Sequence, residues 1–94
     1  MAYTKEPDPG MQVLVSQVAD ELLDMKGVEA AIVSGPGDGQ TYVSARSSGK
    51  INVQTLMEKL GGGGHQNVAA AQVTDGPEVA ISRVVQEMRE QGTL

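Results

Sequence analysis

The chain has 94 residues, a formal net charge of −5, no Cys, Phe or Trp, and Tyr3 and Tyr42 as its only aromatics. This length fits one small domain, which buries only about 60–65% of its unfolded surface and has modest stability. Lack of cysteine excludes a disulfide framework and a thiolate metal site and suits a reducing compartment, the negative balance argues against nonspecific nucleic-acid binding, and no apolar run approaches the roughly 18 residues of a transmembrane helix.

Met1–Gly10 is polar and proline-rich and reads as a linker, not a signal peptide. Asp8-Pro9 reads as a helix start, with Asp8 as the cap and Pro9 at the first helical position. Met11, Leu14, Val15, Val18, Leu22 and Met25 follow at spacings of three and four and give one apolar face, with Asp20, Glu21 and Asp24 largely off it. Gly27 is expected to end this helix. Val28–Ser34 predicts a strand buried on both faces. The stretch Gly35-Pro36-Gly37-Asp38-Gly39 predicts a turn. Thr41–Arg46 then alternates, so Tyr42, Ser44 and Arg46 point one way and Thr41, Val43 and Ala45 the other, making an antiparallel hairpin.

Asn52 reads as the cap of a second helix, whose stripe is Val53, Leu56, Met57 and Leu60 and whose stop is Gly61. Val68–Thr74 predicts a third strand. Asp75-Gly76-Pro77 reads as a cap with proline at the first position of a last helix, whose stripe is Ile81, Val84, Val85 and Met88. The expected architecture is α/β: a small mixed sheet, a hairpin plus a further strand, flanked by helices in the order αββαβα.

Chemistry concentrates in Gly61-Gly62-Gly63-Gly64-His65-Gln66-Asn67. Each glycine fixed in one conformation costs roughly 0.5–1 kcal/mol relative to alanine, so four ordered in a row need compensation. One reading is an ordered loop whose successive N–H groups form an anion-binding nest, with His65 and Asn67 adding donors. The other is a flexible linker, although Leu60 and Val68 bracket the run inside one domain. No Lys-Ser or Lys-Thr follows, so it is not a P-loop. His65 is the only histidine, and with no cysteine it makes a poor metal site. Arg46, between Ser44 and Ser47 at a strand end, can clamp a phosphate with its planar fork or be an ordinary surface arginine. No paired acids and no nucleophile with a base are evident.

The blocks taken together go further. Ser44-Ala45-Arg46-Ser47, Ile51-Asn52-Val53-Gln54 and Met57-Glu58-Lys59-Leu60 leading into Gly61–His65 and Ala69-Ala70-Ala71 resemble the DHH-associated domain of the DHH phosphoesterases. Within that family they are similar to the cyclic-di-AMP phosphodiesterases of the GdpP type, as are Ala19-Asp20-Glu21-Leu22-Leu23 and Gly27-Val28-Glu29-Ala30. The likeness runs from about Gln12 to Val73, and where related sequences often carry a glycine after the alanine pair this chain has Ala71.

The resemblance implies a substrate-binding domain over residues 11–94. Arg46 would contact a substrate phosphate, with Gly62, Gly63, Gly64 and His65 lining the pocket and Ser44, Ser47 and Asn67 on the same wall. No catalytic or metal-ligating residue is expected in this chain, which has no Asp-His-His sequence. The family's two metal ions, usually manganese, would sit in a DHH domain of the same parent chain. The implied partners are a cyclic dinucleotide or short oligonucleotide and that DHH domain, with a homodimer allowed and no membrane contact by this domain. Its implied location is cytoplasmic, on a parent that is membrane-anchored in this subgroup, and the isolated chain is expected to lack phosphodiesterase activity. Two other readings are the same domain from a nanoRNase or phosphoadenosine phosphatase, and a non-catalytic binding or assembly module.

Overall fold

The structure, a computed structural model, describes residues 10–37 and 39–91. In chain order it contains α1 (Met11–Leu23), β1 (Ala30–Pro36), β2 (Thr41–Ser47), α2 (Val53–Lys59), β3 (Gly63–Gly64), β4 (Val68–Val73) and α3 (Pro77–Glu90). The α/β class is as expected. Two details differ: the glycine tract contributes a two-residue strand, and the four strands, ordered β1-β2-β4-β3, are antiparallel at every pairing rather than mixed. The path after β2 explains both. The chain crosses through α2 to β3, which runs in the direction of β2, and β4 then turns back and slots between them.

The β1–β2 register runs from Ala30 opposite Ser47 to Pro36 opposite Thr41. The first strand therefore lies two residues later than expected, and Gly35 and Pro36 belong to it rather than to the turn. Proline is tolerated there because β1 is an edge strand. The narrower turn is closed by the Gly37 N–H, which donates to the Gln40 carbonyl at 2.6 Å.

One face of the sheet is covered by α1, which lies over β1 and β2 and buries Met11, Val15 and Ala19 against Val33. The other face is covered by α2 and α3, where Val43 and Ala45 of β2 and Ala69 and Ala71 of β4 meet Leu56, Met57 and Val84. The alternation expected along β2 is thus realised, and β1 is covered on both faces. Valine, alanine, leucine and methionine fill both cores, and the sheet approaches α1 closely: a Cβ on Gly35 would run into Met11 and Val15. The α1 stripe is narrower than expected, because Leu14 and Met25 are exposed. Met25 lies beyond the helix, which ends at Leu23, while Gly27 (φ +87°) belongs to the turn that follows. The Asp8-Pro9 helix start and the linker reading fall on residues 1–9, outside the described residues.

Asn52 caps α2 as expected, its side-chain oxygen accepting from the Gln54 and Thr55 N–H groups at 3.0 and 3.4 Å. Pro77 opens α3, but the cap is Gly76 rather than Asp75. Asp75 is engaged elsewhere: its carboxylate accepts from Arg83 Nη1 at 2.6 Å and its carbonyl from Thr41 Oγ1 at 2.6 Å. Of the stripe expected on α3, Val84 is buried together with Ala80, while Ile81, Val85 and Met88 are half-buried.

Candidate functional site

The glycine tract is ordered, and most of its glycines answer to the fold. Gly61 has φ +87°, and its N–H and that of Gly62 donate to the Glu58 and Met57 carbonyls at 3.1 and 2.8 Å, the paired bonds of a Schellman helix end. Gly62 packs so tightly against β4 that an added Cβ would lie 2.6 Å from the Cα of Ala71. Gly64 has φ +144°, and a Cβ there would lie 2.5 Å from the Val68 carbonyl oxygen. Gly63 differs from all three: its φ is not positive and a Cβ would meet nothing within 4 Å. His65 closes the hairpin by donating its backbone N–H to the Val68 carbonyl at 2.6 Å, and its side chain is exposed. Because the N–H groups of Gly61, Gly62 and His65 are already bonded within the fold, the tract is not a run of free donors. What it presents is a sheet edge free of side chains.

Arg46 and Ser44 share the face of β2 that lies under α1. The Arg46 side chain is only 11% exposed. Its Nε donates to Asp20 Oδ1 at 2.7 Å and its Nη1 to the Ala45 carbonyl at 3.0 Å. Its Nη2 makes no hydrogen bond among the described residues, where no enclosed side-chain nitrogen or oxygen lacks a partner, so Nη2 reaches solvent. Strand pairing places Ala31 and Val68 on either side of Arg46. His65, bonded to Val68 from the other side, stands at the same level of the sheet two strands away. The tract is therefore not on the strand next to Arg46. With β4 between them, the two backbones are roughly 10 Å apart.

A cleft of about 380 Å³ opens over β2 and β4, with Gln12, Tyr42, Ser44, Gly61, Gly62, Ala70 and Gln72 among its lining residues. None of the described lining residues is charged. Pairing aligns Val33, Ser44, Ala70 and Gly63 in one row across the sheet, so the cleft floor runs to the glycine edge. Arg46 is not itself a lining residue; it follows two residues after Ser44, which is one, on the same face of β2.

The remaining expected residues divide. The Ser44 hydroxyl is buried and shares a hydrogen bond with Ser16 of α1 at 3.0 Å. Ser47 is not brought to the Arg46 face; its Oγ accepts from the Gly49 and Ile51 N–H groups and shapes the turn into α2. The Asn67 side chain is exposed, and the backbone carbonyl of Asn67 accepts from the Ser47 N–H at 2.9 Å. Asp20, Gln12 and Gln72 were not singled out as site residues from sequence. The signal for Asp20 is a match of periods: Ser16 and Asp20 are one helical turn apart, Ser44 and Arg46 one strand repeat apart. Among the described residues no three of His, Cys, Asp and Glu converge to hold a metal ion, so a manganese pair does not fit onto them. No helix among them is long and apolar enough to cross a membrane.

This layered domain with a glycine edge belongs to the DHHA1 domain family, whose model matches residues 7–91. The chain is 50% identical over 80 residues to the cyclic-di-AMP phosphodiesterase GdpP of Geobacillus thermodenitrificans, and 43% identical over 79 residues to that of Bacillus subtilis. These alignments cover 84% and 83% of this chain but only 12% of either relative. Among solved structures, an exopolyphosphatase-related protein from Bacteroides fragilis shares the fold, with a TM-score of 0.69 and 23% identity over 77% of this chain and 22% of that one.

Proposed function

We propose that this chain is the substrate-recognition domain of a DHH phosphodiesterase acting on a cyclic dinucleotide, in the first place cyclic-di-AMP. The observation that carries this reading is Arg46, a largely buried guanidinium with two nitrogens fixed and the third open to solvent beside a neutral cleft. A fixed, delocalised cation suits a phosphate oxygen. An uncharged cleft of this volume suits the nucleoside attached to it. The glycine edge lets a ligand lie against backbone at Gly63, where no contact of the fold demands glycine. His65 extends from the hairpin that ends this edge. The names of the GdpP relatives supply the substrate class.

In this reading the domain binds and orients. Fixing a phosphate and its nucleoside against the reacting centre lowers the barrier without any acid or base of this chain. The bond-breaking chemistry belongs to a DHH domain of the same parent, with its own metal ions. The domain lies on the cytoplasmic side of a membrane-anchored parent. The test is turnover of cyclic-di-AMP by the full-length protein carrying this domain. Arg46→Ala and His65→Ala are each expected to lower it by about tenfold or more, as fits loss of a hydrogen bond to a charged group. Unchanged kinetics in both variants would reject the site.

A further inference from the structure

We propose that Asp20 is a positioning residue for ligand recognition: its carboxylate holds the Arg46 side chain so that Nη2 is the part offered to solvent. This rests on the reading of Arg46 as the phosphate-contacting residue.

The two bonds that Arg46 makes lie on different nitrogens, Nε to Asp20 and Nη1 to the Ala45 carbonyl. A guanidinium is planar, so fixing two of its nitrogens fixes the third. Rotation about the last side-chain torsions would break one bond or the other. The anchoring is asymmetric: the Arg46 side chain is 11% exposed, whereas that of Asp20 is 62% exposed. Asp20 therefore reaches in from the solvent side of α1 to an otherwise enclosed side chain.

The fold has little need of this pair. Asp20 is well solvated, so on its removal water can take its place at Nε, which limits the cost of leaving the enclosed guanidinium without the carboxylate. One turn earlier, Ser16 and Ser44 already join α1 to β2, and Met11, Val15 and Ala19 pack the helix onto the sheet. What Asp20 adds is order in a long side chain that would otherwise lose its rotamer freedom on meeting a ligand. The Asp20 charge also offsets part of the Arg46 charge. Masking of this kind predicts the opposite sign for removal of Asp20, so the two roles separate in one experiment.

The experiment follows the Arg46 Nε–Hε resonance of this chain by ¹H–¹⁵N NMR while cyclic-di-AMP is added into the millimolar range. In the unsubstituted chain that resonance is expected to stand apart from the other arginines and to move on titration. Asp20→Ala is expected to send it to the position of a solvated arginine and to weaken binding by about threefold, with the thermal midpoint within about 2 °C of the original. Asp20→Asn, which keeps an oxygen acceptor, is expected to restore the resonance and most of the affinity. Equal or tighter binding by Asp20→Ala would overturn the inference and leave the reading of the site standing. A fall in midpoint of more than about 5 °C would do the same, by showing a fold contact. An Arg46 resonance in the unsubstituted chain that ignores the ligand would defeat the reading of the site and this inference with it.

Discussion

Gly62 lies against Ala71 so closely that a Cβ on the glycine would sit 2.6 Å from the alanine Cα. That approach ties the end of α2 to the middle of β4, and it makes the glycine tract a structural element as well as a candidate binding edge. Ala71, which follows Ala69 and Ala70 on β4, is thus a wall of this contact.

Gly62, Gly63 and Gly64 are expected to separate under substitution. Gly62→Ala and Gly64→Ala should each destabilise the chain by roughly 1–3 kcal/mol, the first by overpacking against backbone and the second by adding an unfavourable φ of +144°. Urea denaturation reads the difference directly. Stability unchanged from the unsubstituted chain in both variants would mean that β3 does not pack onto β4 in this way.

Gly63→Ala is expected to leave stability within about 0.5 kcal/mol, because a Cβ there meets nothing. The same methyl projects at the sheet edge where a ligand would lie. Turnover of cyclic-di-AMP by the full-length protein should therefore fall while the denaturation midpoint holds. Normal turnover would remove Gly63 from the site.

The core beneath the site has its own test. Leu56 is fully buried between α2 and the sheet, and Leu56→Ala should cost about 2–5 kcal/mol. Leu14 belongs to the apolar stripe read from the sequence yet is 39% exposed, so Leu14→Ala should cost well under half of that. Comparable losses from thermal or urea unfolding would show that α1 is rotated from its described position.

Much of this arrangement is legible in the sequence because it rests on local rules. Asn52 before Val53 and Gly61 after Leu60 mark the ends of α2, and the alternation from Thr41 to Arg46 correctly assigns the two faces of β2. The shift of β1 was not legible, since Gly35 and Pro36 look like turn residues and only pairing with Tyr42 and Thr41 draws them into the strand. Nor was β3 legible. Two glycines carry no strand propensity, and their conformation is imposed by Ala69 and Ala70 opposite them. Missing β3 hid the placement of β4 between Arg46 and the tract, and so the fact that these features flank β4 from opposite sides. The cleft rim at Gln12 and Gln72 joins residues 60 positions apart, which no motif spacing connects.

The most direct measurement is a backbone amide shift map of this chain on addition of cyclic-di-AMP. Binding across the α1-side cleft should move Ser44, Gly63 and His65 most, with the Arg46 side chain responding alongside them. Shifts confined to α2, α3 and the sheet face they cover, with those four residues still, would contradict a nucleotide site at the glycine edge.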